Sequence, residues 1–273
     1  MDKLLIILGV WLAGSALRTF QTVWLRKPGA LLYLFASYLA GFYLGGGSRA
    51  TGCVTVACWF LLPWLEILLR VRTMRLPISK TLSNRFPPSR DEFPHLRELT
   101  AEVEDAGFAM LEDTGWDGGE VRQFIRLFYM AEKRIQASIS LNQQRGAGIV
   151  YISLTTRTAN GRTLTTTDYP FSSTMPLAPG VQMNQTAWAV SIPALLTAHT
   201  EWLEKQSVTL PQDAAEVEVS SLSDRLSGEL EQQIRHNLSR GILKDTGEGT
   251  FRYSWRGCFY LWGQSIKDMV RLA

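Results

Sequence analysis

Cysteine and histidine are scarce in this chain of 273 residues, with three of each. Cys53 and Cys58 lie in an apolar run and Cys258 stands alone. That excludes a disulfide framework and any paired thiol spacing for a metal. His95 and His236 read as lacking an acidic or thiol neighbour at ligand spacing. The signatures of common catalytic and cofactor sites are missing as well: no HExxH, CxxC or GxSxG, no P-loop and no GxGxxG. No metal, no cofactor and no catalytic group is therefore expected from motifs.

Acidic residues are almost missing from the first 80 positions, which hold Asp2 and Glu66 against nine Lys and Arg, a net of +7. The other 193 residues hold 19 basic and 23 acidic residues, a net of −4. No run of Lys and Arg occurs in this second part. Phosphate neutralisation needs a clustered basic face, so nucleic acid is excluded as a partner.

What the first part has instead is long apolar windows. A hydrocarbon core about 30 Å thick needs roughly 20 apolar residues of helix. Windows at about 4–25, 29–47 and 50–69 qualify, within a transmembrane region 1–75. The short apolar core Leu4–Leu17 and the sequence Ala13-Gly14-Ser15-Ala16 also fit a cleaved signal peptide. Charge decides between the two. Three spans with the N-terminus outside put Arg26, Lys27 and the Arg70–Lys80 cluster in the cytoplasm, where positive residues near span ends accumulate. Cleavage would put all of them outside.

Ser37, Gly41 and Gly45 recur every four residues and form a small-residue stripe. Such a stripe admits another helix closely, either in the same chain or in a homo-oligomer or membrane-protein partner. Glu66 stands four residues before Arg70, the spacing of a helical ion pair. Residues 76–94 hold Pro77, Pro87, Pro88 and Pro94 and read as an extended tether.

The polar part, 95–206, reads as an α+β domain. Leu96, Leu99, Val103 and Ala106 have helical spacing, and Gly107 stops the helix. Thr114–Gly119 reads as a loop. Val121–Met130 is apolar on both faces, which predicts a covered strand. Then the period becomes two: Ile135, Ala137, Ile139 and Leu141 alternate with Gln136, Ser138, Ser140 and Asn142, one face in a core and one in water. Asn160-Gly161 marks a hairpin. The expected sum is an antiparallel meander flanked by helices. The hairpin carries Thr155, Thr156, Thr158, Thr163, Thr165, Thr166 and Thr167. This is either a hydroxyl-rich surface for a sugar or phosphate, or ordinary strand composition. Gln182–Val190 reads as one more strand. Residues 193–205 read as a helix with His199 on its apolar side, a core histidine bonded to a backbone carbonyl.

Residues 207–273 read as a helix–hairpin–helix unit, packed on the domain or on the membrane surface. Leu222, Leu226, Leu230, Ile234 and Leu238 repeat every four residues, and Gly241 closes that helix. The Phe259, Trp262, Ile266 and Met269 stripe suits either placement. Arg70, Arg72, Arg75, Trp255, Arg256 and Trp262 are the candidates for contact with the membrane interface.

The sequence thus predicts a multi-pass membrane protein with an outside N-terminus and a cytoplasmic α+β domain. Its partner is the lipid bilayer, and its role is that of a non-enzymatic interaction or sensing module. The alternative is a membrane-bound hydrolase using loop acids such as Asp113, Asp117 or Asp168.

Overall fold

The structure, a computed structural model, describes residues 2–19, 23–118, 121–144, 147–186, 191–216, 218 and 222–272. In chain order the helices are α1 (Asp2–Arg18), α2 (Val23–Leu44), α3 (Arg49–Glu66), α4 (Leu96–Asp105), α5 (Ile192–Lys205), α6 (Leu222–Ser239) and α7 (Trp255–Leu272). The strands are β1 (Leu76–Pro77), β2 (Ser83–Asn84), β3 (Ala109–Asp117), β4 (Val121–Met130), β5 (Ile135–Gln144), β6 (Ala147–Arg157), β7 (Thr163–Thr167), β8 (Val181–Gln185), β9 (Leu243–Asp245) and β10 (Thr250–Tyr253). The chain divides into two units, one of Met1–Met74, Ser172–Met175 and Arg252–Ala273, the other of Arg75–Phe171 and Pro176–Phe251.

The first unit is helical. Among the described residues one helix is long and apolar enough to cross a membrane. It is α3 together with the π-helical turn Ile67–Val71 that prolongs it, 23 residues of mean hydropathy 1.9. Pro28–Leu44 of α2 is apolar but shorter. The three expected spans are therefore matched, by length and composition, by one. The reason lies in the charges. The window 4–25 is cut where α1 ends at Arg18, and Arg26 and Lys27 fall inside the start of α2 and shorten its apolar part.

Hydroxyl and small residues face neighbouring helices in this unit. Thr55 donates to the Ser37 carbonyl at 3.0 Å, the Trp59 indole to the Ser37 hydroxyl at 2.9 Å, and Ser15 meets the Tyr33 hydroxyl at 2.8 Å. A Cβ on Gly41 would collide with Thr55, and one on Gly45 with Thr51. The stripe thus lets α2 and α3 of the same chain approach closely. The C-terminal helix joins them. The Trp262 indole donates to the Phe60 carbonyl at 2.7 Å, and the Trp64 ring lies 4.7 Å from that of Phe259. The stretch expected as one helix–hairpin–helix unit is accordingly divided, α7 in this unit and α6 with its hairpin in the other. Indole and aromatic surface on α7 matches indole and aromatic surface on α3, which α6 does not offer.

The second unit is α+β with a mostly antiparallel sheet. Its seven strands run in the order β2-β3-β4-β5-β6-β7-β8, and only β7 and β8 are parallel. A second small sheet has the order β1-β10-β9. The segment read as a tether is extended, but it is paired: Ser83 and Asn84 register with Gly115 and Thr114, and Leu76 with Phe251. Buried Leu82 and Phe93 hold it down. Thr114–Asp117, read as loop, is strand. Gly115 marks a close approach and not a turn, because a Cβ there would collide with the Gln123 carbonyl. The strand expected over 182–190 is β8, and 187–190 lie outside the described residues.

Period two sorts the sheet's side chains. Ile135, Ala137, Ile139 and Leu141 of β5 join Phe124, Phe128, Ile152 and Leu154 in a core covered by Val103 of α4 and by Ile192 and Leu195 of α5. The other face of β4 places Ile125, Leu127 and Tyr129 against Leu222 and Leu226 of α6. β4 is thus buried on both faces, which explains its continuous apolar run.

His199 of α5 is fully buried. Its ring nitrogens lie 2.8 Å from the Thr166 hydroxyl and 3.0 Å from that of Thr156, not from a backbone carbonyl. Burial pushes its pKa down to about 4. The folded state holds the ring neutral while the unfolded chain takes up a proton near pH 6.5. Stability from this group is therefore full above that pH and falls as pH drops toward 4, by about 3 kcal/mol at 1.36 kcal/mol per unit. In an NMR titration of the three histidines, one resonance, absent in His199→Gln, keeps its neutral shift down to about pH 4. Protonation of that resonance near pH 6.5 would contradict this.

Candidate functional site

The same alternation that buries one face of β5–β7 leaves the other face hydroxylated. On the α6 side the register sets Ser138 beside Ser153, Ser140 beside Tyr151, and Gln136 beside Thr155. It then sets Thr155 beside Thr165 and Arg157 beside Thr163, and Thr165 beside Met183 of β8. The apolar stripe of α6 covers the β4 end of this face. Over the polar strands helix and sheet leave a cavity of about 330 Å³. Its floor is Gln123, Gln136, Ser138, Ser140, Tyr151, Ser153, Thr155, Thr163 and Thr165. Its walls are Ile125, Val181 and Met183, with Leu226, Glu229, Leu230 and Gln233 of α6 and the Leu177–Pro179 loop above. The Gln233 amide fixes that loop, accepting from the Ala178 N–H at 2.7 Å and donating to the Pro176 carbonyl, to which Asn237 also donates at 2.9 Å.

One ion pair joins floor to roof. Arg157 of β6 is almost wholly buried and meets Glu229 of α6 through two parallel bonds, Nε to Oε1 at 2.5 Å and Nη2 to Oε2 at 2.8 Å. Its Nη1 donates to Gln136 at 2.6 Å. Fork-to-fork geometry makes this both strong and directional. It also sets the guanidinium and the carboxylate that line the cavity against each other, with Arg225 of α6 3.8 Å from the same carboxylate.

The hydroxyls differ in their commitments. Ser153 donates to Thr167 at 2.9 Å, and Thr155 and Thr165 share a bond of 3.0 Å. The side-chain hydroxyls of Ser138 and Thr163 have no hydrogen-bond partner among the described residues. The Tyr151 hydroxyl is bonded by Ser140, Asn142 and Gln123, and burial raises its pKa. Burial also raises the Asp168 carboxyl, which accepts the Ile152 N–H at 2.6 Å. The arrangement offers donors and acceptors to a neutral polar molecule and no exposed nucleophile–base pair.

The residues singled out from sequence fall elsewhere. Ser37, Gly41 and Gly45 face α3. Arg70 pairs with Glu66 at 3.4 Å at the expected helical spacing. Arg72 and Trp255 are brought together, the guanidinium 4.0 Å from the ring centroid. Arg75 meets Glu248 at 3.0 Å, Arg256 is exposed on α7, and Trp262 bonds α3. Asp113 is held by two bonds of 2.7 Å from Arg126, and Asp117 by Arg85 and Arg122 at 3.6 Å. His95 does have an acidic neighbour, Glu98 one turn on at 2.7 Å, an exposed pair. Among the described residues no group of three or more His, Cys, Asp or Glu gathers as a metal site.

The threonines split by parity. Thr155, Thr163 and Thr165 line the cavity, while Thr156 and Thr166 turn to the opposite face and His199. Sequence reasoning missed Ser138, Ser140, Tyr151, Ser153, Arg157 and Glu229. The alternation in β5 signalled the first two. Nothing local signalled a roof supplied 72 residues downstream of Arg157.

No family model, curated protein or solved structure matches the chain.

Removing one partner of a buried pair strands the other charge, at a cost of roughly 3–5 kcal/mol, whereas replacing both with apolar residues is often neutral. Glu229 keeps some solvent contact, so Glu229→Ala is expected to destabilise β5 and β6 by about 3 kcal/mol, read from hydrogen exchange of their amides in the full chain. Arg157→Met with Glu229→Met is expected to recover most of that loss. A single variant as stable as the double contradicts the assignment.

Proposed function

We propose that this protein is a membrane-anchored, non-enzymatic binding or sensing module, with three N-terminal spans, an outside N-terminus and its α+β unit on the cytoplasmic side. The observation that carries the anchoring is the inverted polarity of the helical unit. Its hydroxyls bond across the helices, Ser15 to Tyr33 and Thr55 to the Ser37 carbonyl, while Leu4, Leu31, Leu44 and Leu69 are 73%, 66%, 88% and 77% exposed. Water penalises exposed apolar patches of this extent, and lipid does not. The short α1 and the short apolar part of α2, Pro28–Leu44, are compatible with spanning when flanking Lys and Arg side chains extend to the interface. The orientation follows from the basic residues at the end of α1, at the start of α2 and after α3.

The binding role is supported by the cavity under α6, with its charges paired internally and its hydroxyls presented inward. A hydrolase centred on Asp168 is the second reading, favoured by the raised pKa of that carboxyl. Asp113 and Asp117 are already engaged by arginines. Asp168→Asn separates the two, because the binding reading keeps cellular function in that variant.

Protease added to sealed vesicles tests the orientation. Digestion of the α+β unit in inverted vesicles and protection in right-side-out ones are expected. The reverse pattern overturns the topology.

A further inference from the structure

The geometry points to a neutral, polyhydroxylated ligand, a single sugar ring free or carried on a lipid, bound in the cavity between β5–β7 and α6. This deepens the binding role proposed above and rests on it. Three observations converge. The volume of about 330 Å³ lies at the lower end of the roughly 300–1,000 Å³ typical of small-molecule sites. One hexose ring fits within it.

The second observation is chemical. The floor presents hydroxyls that both donate and accept, and those of Ser138 and Thr163 have no hydrogen-bond partner among the described residues. A sugar hydroxyl, itself donor and acceptor, satisfies either role, whereas an apolar ligand would leave these groups unpaired at a cost. The apolar C–H face of a ring fits the opposite wall, where Leu226 and Leu230 of α6 line the cavity.

The third observation is electrostatic. Arg157 gives both forks of its guanidinium to Glu229 and a third bond to Gln136. A phosphate or carboxylate ligand would have to displace Glu229, so an anion is disfavoured. A cation has Glu229 already engaged against it. Neutral ligands meet neither obstacle, and the same ion pair holds α6 in place over them.

The test uses the full chain in a polyoxyethylene detergent, because alkyl glycosides carry the proposed ligand class. Saturation-transfer NMR is run with methyl glucoside, methyl galactoside, methyl mannoside and N-acetylglucosamine. Transfer to at least one sugar is expected. Thr165→Val, which removes a hydroxyl at constant volume, is expected to weaken it about two- to tenfold, the worth of one hydrogen bond. Ser138→Leu, which fills the cavity, is expected to abolish it.

No transfer to any of the sugars overturns the proposal. So does transfer undiminished in Ser138→Leu or, if that variant does not fold, affinity unchanged in Thr165→Val. Tighter binding to vesicles doped with a glucosyl diacylglycerol assigns a lipid-borne ring, and equal binding assigns a free one; both keep the site. Conversion of the sugar to new resonances would sink the non-enzymatic reading while leaving the site standing.

Discussion

The bidentate pair between Arg157 and Glu229 is the constraint on which the second unit depends. Toward its N-terminal end α6 is held by apolar contact, Leu222 and Leu226 against Leu82, Leu127 and Tyr129, and by the Leu82 N–H donating to the Ser227 hydroxyl at 3.1 Å. That contact covers only the β4 side of the sheet. Over β5–β7 the sheet presents serine, threonine and glutamine, against which a leucine stripe gains little. Without a directional bond at this end the helix has no reason to keep its line over a polar surface. The pair supplies one, and the space it spans is the cavity. Gln233 and Asn237 extend the same logic by fastening the Pro176–Ala178 loop to the next turn of the helix.

Buried ion pairs are often no better for stability than apolar replacements. Here the pair has a second consequence that an apolar replacement would not reproduce, since it sets the cavity's two charges against each other while leaving the hydroxyls of Ser138 and Thr163 unclaimed. The other buried pair, Arg126 with Asp113 and Thr100, lies on the opposite face and ties β3 and β4 to α4. The two pairs therefore clamp the sheet from both sides. One closes over a packed core and the other over a space.

Much of this was legible in the sequence, and the limit is physical. The alternation in 135–142 states which side chains share a face, and the structure keeps that division, but the face expected in water is covered, with Gln136 and Ser140 buried beneath α6 and its cavity. Applied to the threonine cluster, the same parity separates Thr155, Thr163 and Thr165 from Thr156 and Thr166. The helices at 96–105, 192–205 and 222–239 were visible from their apolar spacing. What escaped depends on long-range partners. Glu229 is one charged residue among many on a long helix until Arg157 is placed beneath it. Gly115 reads as a loop residue until the Gln123 carbonyl is seen against its α-carbon. The parallel pairing of β8 with β7 has no local signature, because its register is set through the intervening connection. The stripe of α7 was visible, but its partner could be decided only by finding Trp262 on the Phe60 carbonyl.

The most direct test of the central claim, that the space under α6 is a site for a sugar ring, is photolabelling in native membranes. A diazirine-bearing methyl glycoside is activated and the labelled peptides are located by mass spectrometry, with and without excess unlabelled glycoside. The account predicts competed label on peptides from 136–165 and from 222–239. Label confined to the helices of the first unit, or label that excess glycoside does not displace, would contradict it.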